Sequence, residues 1–372
     1  MRIQLYTMTH KHFNLPTTES MYQPLQVGRA GKEDLGYLCD NTGDNISELN
    51  YCFSELTGVY WIWKNVQDVE YVGVCHYRRY LIQEQNQLYT EAQILQVLQK
   101  YDIITSKRLQ YDRSYYEEYA SAHNAADLRM AGQVLREKYP EDYPVFERLV
   151  HGKESYFGNI CVAAKPLFDQ YAAWLFDILL EVKNRICIDD YDAYHKRVFG
   201  FISEFLLLVW VEARGLKAYE GMVGMTEEKH ETAVMKARLA EYLSAKDVYG
   251  AKNYFMDCVK QRPDVLLEAS DITGELRLSM QAITTCEHEL TQGMEPVCNR
   301  ITDWEELMTY FRTLNSIAEQ FVKDRNVHLQ PEQHQWLMDT PISEMALRIA
   351  VMVMCKEKNR IEEVVAAVKA AV

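Results

Sequence analysis

The segment VEYVGVCHYRRYL (69–81) runs an apolar stretch straight into His76, Tyr77, Arg78 and Arg79. Packing has no use for two adjacent guanidinium groups at the end of a core strand. An Arg fork binds phosphate bidentately and stays charged when partly buried, so this pair suits a diphosphate. The same two side chains would serve equally well to pair with Asp or Glu on neighbouring loops, and the segment alone leaves both uses open. The chain carries a net charge of −14. Broad nucleic-acid binding is therefore excluded, because a phosphate backbone would be repelled, and a local positive feature is worth tracing.

Other polar groups fall where strands end or helices begin. His10 and Lys11 follow the first apolar run. Asp40, Asn41, Asp44 and Asn45 lie in CDNTGDN, just before a helix whose free N–H groups favour an anion; loop and capping chemistry is the simpler use of these residues. Asn159 follows Gly158 at the opening of a strand, and Glu204 closes FGFISE (199–204) at the start of a buried helix. His123 and Asp127 are four residues apart in a helical segment, so they are expected on one face. Trp61 and Trp63 alternate on a helix and point in different directions; both are read mainly as core.

Familiar motifs are missing. The sequence has no GxGxxG after its first strand, no GxxxxGK[ST], no GxSxG and no HExxH. Its nine Cys are odd in number and form no CxxC, the pattern of free thiols in a reducing cytoplasm. The start, MRIQLYTMTHKHF, has no signal-peptide apolar region. The longest apolar runs, 205–211 and 349–355, are too short to span a bilayer. Any membrane contact is expected to be peripheral, at the inner face of the cell membrane. The 25 Tyr combine apolar bodies with polar tips, which suits cores and clefts for polar ligands alike.

The elements that must position these groups alternate. A strand is expected at 3–8, a loop at 26–45, and a helix at 45–65 with Asn45 and Glu48 as a capping box. A strand at 69–76, a helix at 90–100 and a strand at 101–105 follow, then helix over 113–139, strand over 156–164, and a helix from 165 to 186 with Pro166 in its first turn. A polar segment leads into a buried helix within 189–215, and a short strand closes at 216–221. The alternation predicts an α/β sheet with mostly parallel strands, whose carboxyl ends are where ligands bind. Beyond a boundary near 225–235 the chain reads as helix after helix. One helix there is expected to end at Pro263, loosely in the manner of a tetratricopeptide unit.

The helix segment NISELNYCFSELTGVYWIWKN followed by YVGVCHYRRYL resembles a bacterial family of capsular and exopolysaccharide glycosyltransferases, long described as a domain of unknown function. YDIITSKR, YYEEYASAHNAADL, WLFDILLEV and RVFGFISEFLLLVWV continue the likeness in order over roughly residues 1–225. Two departures stand out. FGNICVA replaces the Tyr-Asn-Met type of segment, and Phe205 stands where Ser-Glu-Arg-Leu has its Arg.

The resemblance implies a GT-A-like (Rossmann-like) mixed sheet flanked by helices over 1–225, with an all-α region, 226–372, outside the shared part. It implies transfer of a hexose, galactose-type or other, from a UDP-type nucleotide sugar to a lipid-linked or oligosaccharide acceptor. Many GT-A enzymes hold Mn2+ or Mg2+ on a DxD at a central strand end. That strand has no DxD here; the nearest acidic groups are Asp40 and Asp44, and Asp189, Asp190 and Asp192. His76, Tyr77, Arg78 and Arg79 are then expected to meet the donor diphosphate, with the positive charge of His76 and the two Arg taking the metal's place. His10, Lys11, Asp40, Asn41, Asp44 and Asn45 are expected to line the rest of the donor site. His123, Asp127 and Asn159 are placed on the acceptor side. Glu204 is the candidate general base, with Asp190 and Asp192 as alternates; its plain alternative is a helix-start Glu that favours the dipole. A different class of function is a non-catalytic glycan- or nucleotide-binding module whose helical region scaffolds partners or makes a homo-oligomer.

Overall fold

The computed structural model describes residues 2–83, 87–228, 230–262, 265, 271–355 and 357–371. It divides into two compact units, Met1–Glu227 and Glu228–Val372.

The first unit opens with β1 (Ile3–Thr9), β2 (Tyr22–Gln26) and β3 (Leu38–Cys39), then a 3-10 turn (Ser47–Leu49), α1 (Asn50–Phe53) and α2 (Leu56–Asn65). β4 (Tyr71–His76), β5 (Arg79–Ile82), α3 (Glu91–Leu98), β6 (Ile103–Ser106) and β7 (Leu109–Gln110) follow. Next come α4 (Tyr115–Ala122), α5 (Ala125–Lys138), α6 (Tyr143–Val150), β8 (Glu154–Ser155), β9 (Cys161–Ala164) and α7 (Lys165–Arg185). A 3-10 turn (His195–Arg197), α8 (Val198–Ala213) and β10 (Ala218–Met225) complete the unit.

Eight strands form one sheet in the order β3-β2-β1-β4-β5-β10-β6-β9, and β9 also pairs with β4. The strands β4, β5, β10, β6 and β9 therefore close into a ring. The sheet is mixed: β1 is parallel to β2 and β4, whereas β9 runs antiparallel to both β4 and β6. The expectation of mostly parallel strands is corrected by β5 and β9, which return along their neighbours and so supply antiparallel pairings. Strand alternation sends side chains to opposite faces. Ile3 and Leu5 pack with Tyr22, Tyr80 and Ile94 on one side; Tyr6 and Met8 pack with α2 and the core of α7 and α8 on the other. α8 is buried nearly all round, from Phe205 through Val211, as its continuous apolar run demands.

Two long helices expected from periodicity are each broken. The 45–65 segment has a kink at Ser54, with φ 51 and ψ −130. The predicted cap also differs: the side chain of Asn45 accepts the Ser47 N–H, and the first turn is 3-10 rather than α. The 113–139 segment splits at His123 and Asn124, where Asn124 caps α5 through the Ala126 N–H. Apolar periodicity runs through both breaks because core-facing residues continue in phase on either side.

The second unit is helical among its described residues: α9 (His230–Ser244), α10 (Val248–Gln261), α11 (Glu275–Thr291), α12 (Val297–Arg300), α13 (Trp304–Lys323), α14 (Pro331–Asp339), α15 (Glu344–Met354) and α16 (Ile361–Ala370). It has its own core, centred on Leu239, Leu276, Phe311, Leu314, Ala350 and Val364. The helix end expected at Pro263 lies outside the described residues.

Candidate active site

The parallel register places Met8 of β1 against His76 of β4, so both strands end side by side. The HYRR segment is not a plain strand end. It is a hairpin: His76 pairs with Arg79 and the chain turns at Tyr77 and Arg78. Directly opposed residues on an antiparallel ladder share a face, so His76 and Arg79 stand together. The Tyr77 N–H donates to the Met8 carbonyl at 3.0 Å and ties the turn to β1.

Around this tip the positive charges gather. Lys11 Nζ and the Arg78 guanidinium each lie 5.0 Å from the centre of the Tyr77 ring. His10 packs edge-on against the same ring at 5.5 Å. Partial burial, then Arg78, Lys32, Lys11 and Arg197, hold the His10 imidazole below its usual range. These four cations therefore converge on one place in an acidic protein. Phe13, 5.9 Å from both Tyr37 and Tyr77, puts an aromatic cluster at its border. Neither Arg78 nor Arg79 forms an ion pair among the described residues; the Arg79 guanidinium lies 4.5 Å over the Phe157 ring.

A second set of groups meets at the helix break. At its left-handed φ the Ser54 carbonyl accepts from Asn50 Nδ2 at 2.7 Å, with the Thr57 hydroxyl oxygen 3.2 Å away. Arg197 Nε donates to the Ser54 hydroxyl at 3.1 Å. The break turns Glu55 inward. Its carboxylate accepts from Asn159 Nδ2 at 2.7 Å and lies 4.0 Å from His76 Nε2, a buried atom with no hydrogen-bond partner among the described residues. Gly158 (φ 88) and Asn159 (φ 48) form a tight turn before β9. Asn159 also donates to the Gly200 carbonyl and accepts from the Ser203 hydroxyl at 2.8 Å. Strained non-glycine backbone of this kind clusters at functional sites.

The charges of the set are uneven. Burial first, then the neighbouring Glu55, raise the Glu204 carboxyl to about 7, against the lowering pull of Arg79, the Gly158 N–H and Arg197. For Glu55 burial also opposes ionisation, but His76, Arg197 and the Asn159 amide outweigh it and hold the carboxyl below its ordinary value. Burial lowers His76 to about 4; Glu55 opposes this, and Arg79, Arg78 and Arg197 add to it. His76 is therefore neutral at pH 7. The expectation that it supplies positive charge is corrected: its neighbours already carry that charge, and a buried imidazolium beside three guanidinium groups is unfavourable.

The remaining predicted residues are spread out. Asp40 is wholly buried and accepts from the Gly28 and Arg29 N–H groups and the Ser47 and Thr57 hydroxyls, at 2.6–3.1 Å. Its oxygens are saturated within the protein, so it anchors the turn carrying Arg29 and Lys32 rather than touching a ligand. Asn41 is exposed, and Asp44 is exposed and engaged by Tyr60 and Lys64. Asn45 is spent on its local turn. Asp192 accepts from the Tyr194 and His195 N–H groups and pairs with the His195 ring at 2.7 Å, while Asp190 is exposed. His123 and Asp127 do not share a helix face. His123 ends α4 and stacks on Phe201 at 4.2 Å; Asp127 starts α5, buried under the Tyr191 hydroxyl. Asn159, expected on the acceptor side, is a partner of Glu55 instead. Phe205, in place of an Arg, stacks on Tyr115 at 4.2 Å in the core. Trp61 is buried and donates to Thr42, and Trp63 stacks parallel to Phe176.

Glu55, Arg197 and Lys32 were not singled out by the sequence. Glu55 was hidden inside an unbroken helical period. A Ser-Glu pair followed by Leu-Thr-Gly offered only a faint break signal, through the single Gly.

Among the described residues no group of three or more His, Cys, Asp or Glu converges as metal ligands, and Glu55 and Glu204 lie beside guanidinium groups.

No curated protein matches the chain. Among solved structures, the apo structure of the WbbM bifunctional glycosyltransferase is similar, with 27% identity and a TM-score of 0.57. The similarity covers 61% of this chain and 46% of that one, so this chain spans less than half of the solved protein's length. Residues 4–215, more than half of the chain and the part that holds the hairpin, Glu55, Asn159 and Glu204, match the family described as Domain of unknown function (DUF4422), and the chain belongs to that family.

Proposed function

We propose that the chain is a glycosyltransferase of capsule or exopolysaccharide synthesis. In this reading it moves a hexose from a UDP-type nucleotide sugar to a lipid-linked or oligosaccharide acceptor, in the cytoplasm or at the inner face of the membrane. The observation that carries the reading is the convergence of Arg78, Lys32, Lys11 and Arg197 on His10 at the carboxyl ends of β1 and β4. Ligands of α/β sheets bind at such ends. The Phe13–Tyr37–Tyr77 rings beside the cations suit a base next to its phosphates. The similarity to a bifunctional glycosyltransferase supports the same reaction class.

In the proposed step Arg78, Arg79 and Arg197 orient the donor diphosphate. The bond from the sugar's anomeric carbon to the diphosphate oxygen breaks, and the oxygen leaves with the electron pair. Fixed guanidinium groups stabilise that developing charge without reorganising, usually a large catalytic contribution. An acceptor hydroxyl oxygen bonds to the anomeric carbon and gives its proton to Glu204. A carboxylate that titrates near 7 is well matched to this work. No step is routed through a metal.

The test is calorimetry with UDP, followed by hydrolysis and transfer assays on a panel of UDP-hexoses, each with and without EDTA. UDP should bind wild type, and Arg78→Ala with Arg197→Ala should weaken it at least about tenfold, as expected when charge-assisted bonds worth ~1.5–3 kcal/mol are lost. Unchanged affinity in that double variant would remove the donor site. Binding without turnover of any nucleotide sugar would favour the non-catalytic module. Activity that requires Mn2+ or Mg2+ would overturn charge stabilisation by Arg alone.

A further inference from the structure

We propose that Glu55, joined through Asn159 to Ser203 beside Glu204, is the positioning carboxylate of an acidic pair in which Glu204 does the acid–base work. This rests on the glycosyltransferase reading and deepens it.

The geometry is a yoke. Asn159 Nδ2 grips Glu55 Oε1 at 2.7 Å, and Asn159 Oδ1 takes the hydroxyl of Ser203, the residue before Glu204. Ser203 in turn places Glu204 next to the Gly158–Asn159 turn, on α8. Two consecutive residues at positive φ thus aim the Asn159 amide at Glu55 and at the start of the Ser203–Glu204 pair. Asn is among the few non-glycine residues that tolerate this backbone, and its side chain alone can both donate to a carboxylate and accept from a hydroxyl there.

The surrounding charges divide the pair's labour. Glu55 faces His76 on β4 and Arg197 before α8, as well as Asn159. Glu204 faces Glu55, Arg79 on β5 and Arg197, with Tyr111 and the buried Tyr115 on its remaining side. Two carboxylates in one setting resist double ionisation. The member with more donors keeps its charge, and the other holds a proton until about pH 7. Pairs whose environments push them apart in this way mark acid–base assignments. Glu55 therefore need not touch the substrate to matter: after burial itself, it is the group that most raises the pH at which Glu204 becomes a base.

The experiment is NMR titration of the full chain labelled with 13C at glutamate side-chain carboxyls. One resonance should titrate near pH 7 in wild type and vanish in Glu204→Gln. In Glu55→Gln that midpoint should fall by about one pH unit, a tenfold change in proton affinity. Asn159→Gly keeps the positive-φ turn and removes only the amide; it should move the midpoint the same way by a smaller amount, and it decides the matter if Glu55→Gln does not fold. A Glu204 midpoint that stays within about 0.3 unit in these variants, or that lies near 4.5 in wild type, overturns the yoke. UDP calorimetry is the separate readout. Absence of UDP binding would sink the donor-site reading and leave the titration result standing.

Discussion

In the helical unit, residues 228–371, several buried polar groups answer one another, although Thr232 Oγ1, Asp271 Oδ1 and Arg360 Nε have no hydrogen-bond partner among the described residues. Gln281 and Asn315 exchange both amide bonds between α11 and α13, at 2.9 and 2.8 Å. Glu289 accepts the Val297 N–H and the Ser343 hydroxyl. Lys236 is ringed by Glu228, Asp271 and Glu275. In the sheet unit the buried polar groups near the hairpin are left short. His76 Nε2 lacks a hydrogen bond among the described residues, Arg79 faces carboxylates without an ion pair, and Ser54 and Asn159 sit in strained backbone. Unpartnered buried atoms occur in both units, but among the described residues only at the hairpin do they meet unpaired guanidinium groups and positive-φ backbone in one place. The helical unit pairs its buried amides with one another, whereas the hairpin of the sheet unit gathers guanidinium groups that no carboxylate among the described residues pairs.

The largest effect expected from this contrast is on turnover. Arg79→Ala should lower sugar transfer by about a hundredfold or more, near the loss from one oxyanion donor, with little change in the denaturation midpoint. A drop in stability with transfer intact would place Arg79 among the structural residues.

A pH experiment comes next. His76 has a folded pKa of about 4 against 6.5, so the folded state binds fewer protons between those values and loses stability as pH falls through that window. Glu204, raised from 4.5 to about 7, binds more protons when folded and gains stability as pH falls from 7 to 4.5. The two oppose each other in wild type. His76→Gln removes one side, so its stability relative to wild type should improve by roughly 2 kcal/mol between pH 7 and pH 5. Urea denaturation at both pH values reads this, and equal differences would refute it.

In the helical unit Gln281→Leu leaves Asn315 buried without its partner and should cost about 1–3 kcal/mol. The double change with Asn315→Leu should recover most of that, and UDP affinity should not move in either. A double variant no better than the single would contradict the reciprocal pairing.

The smallest effect is at the break. Ser54→Gly suits the backbone, whose φ is 51, and should add up to about 1 kcal/mol of stability. It also frees Arg197 from the Ser54 hydroxyl, so transfer should fall as thermal stability rises. A simultaneous gain in both would deny that the strain serves function.

Some members of the candidate site were legible in the sequence. Two adjacent Arg after an apolar strand announced a charged purpose, because nothing in core packing explains them. Glu204 stood out as an acid in an apolar run, but the expected place at a helix start is corrected: α8 begins at Val198, so Glu204 lies inside the helix, away from its N-terminal dipole. The roles of Asp40 and His76 were not legible. An Asp in a polar loop reads the same whether it faces a ligand or is saturated by four internal donors. The charge of a His depends on burial and on neighbours far away in the chain.

By itself the sequence determined the alternation of strands and helices, since apolar period is a local property, and it determined where unusual charge accumulates. Only the tertiary structure decided that HYRR is a hairpin rather than a strand end, that β5 and β9 close the sheet into a ring, and that Glu55 leaves its helix. The bonds responsible join distant residues: Arg197 to Ser54, Asn159 to Glu55, β9 to β4. A helical period of apolar residues continues through Ser54 whatever its φ. The two donors to it, Asn50 and Arg197, the second 143 residues away, hold the break, and no local pattern reports their meeting.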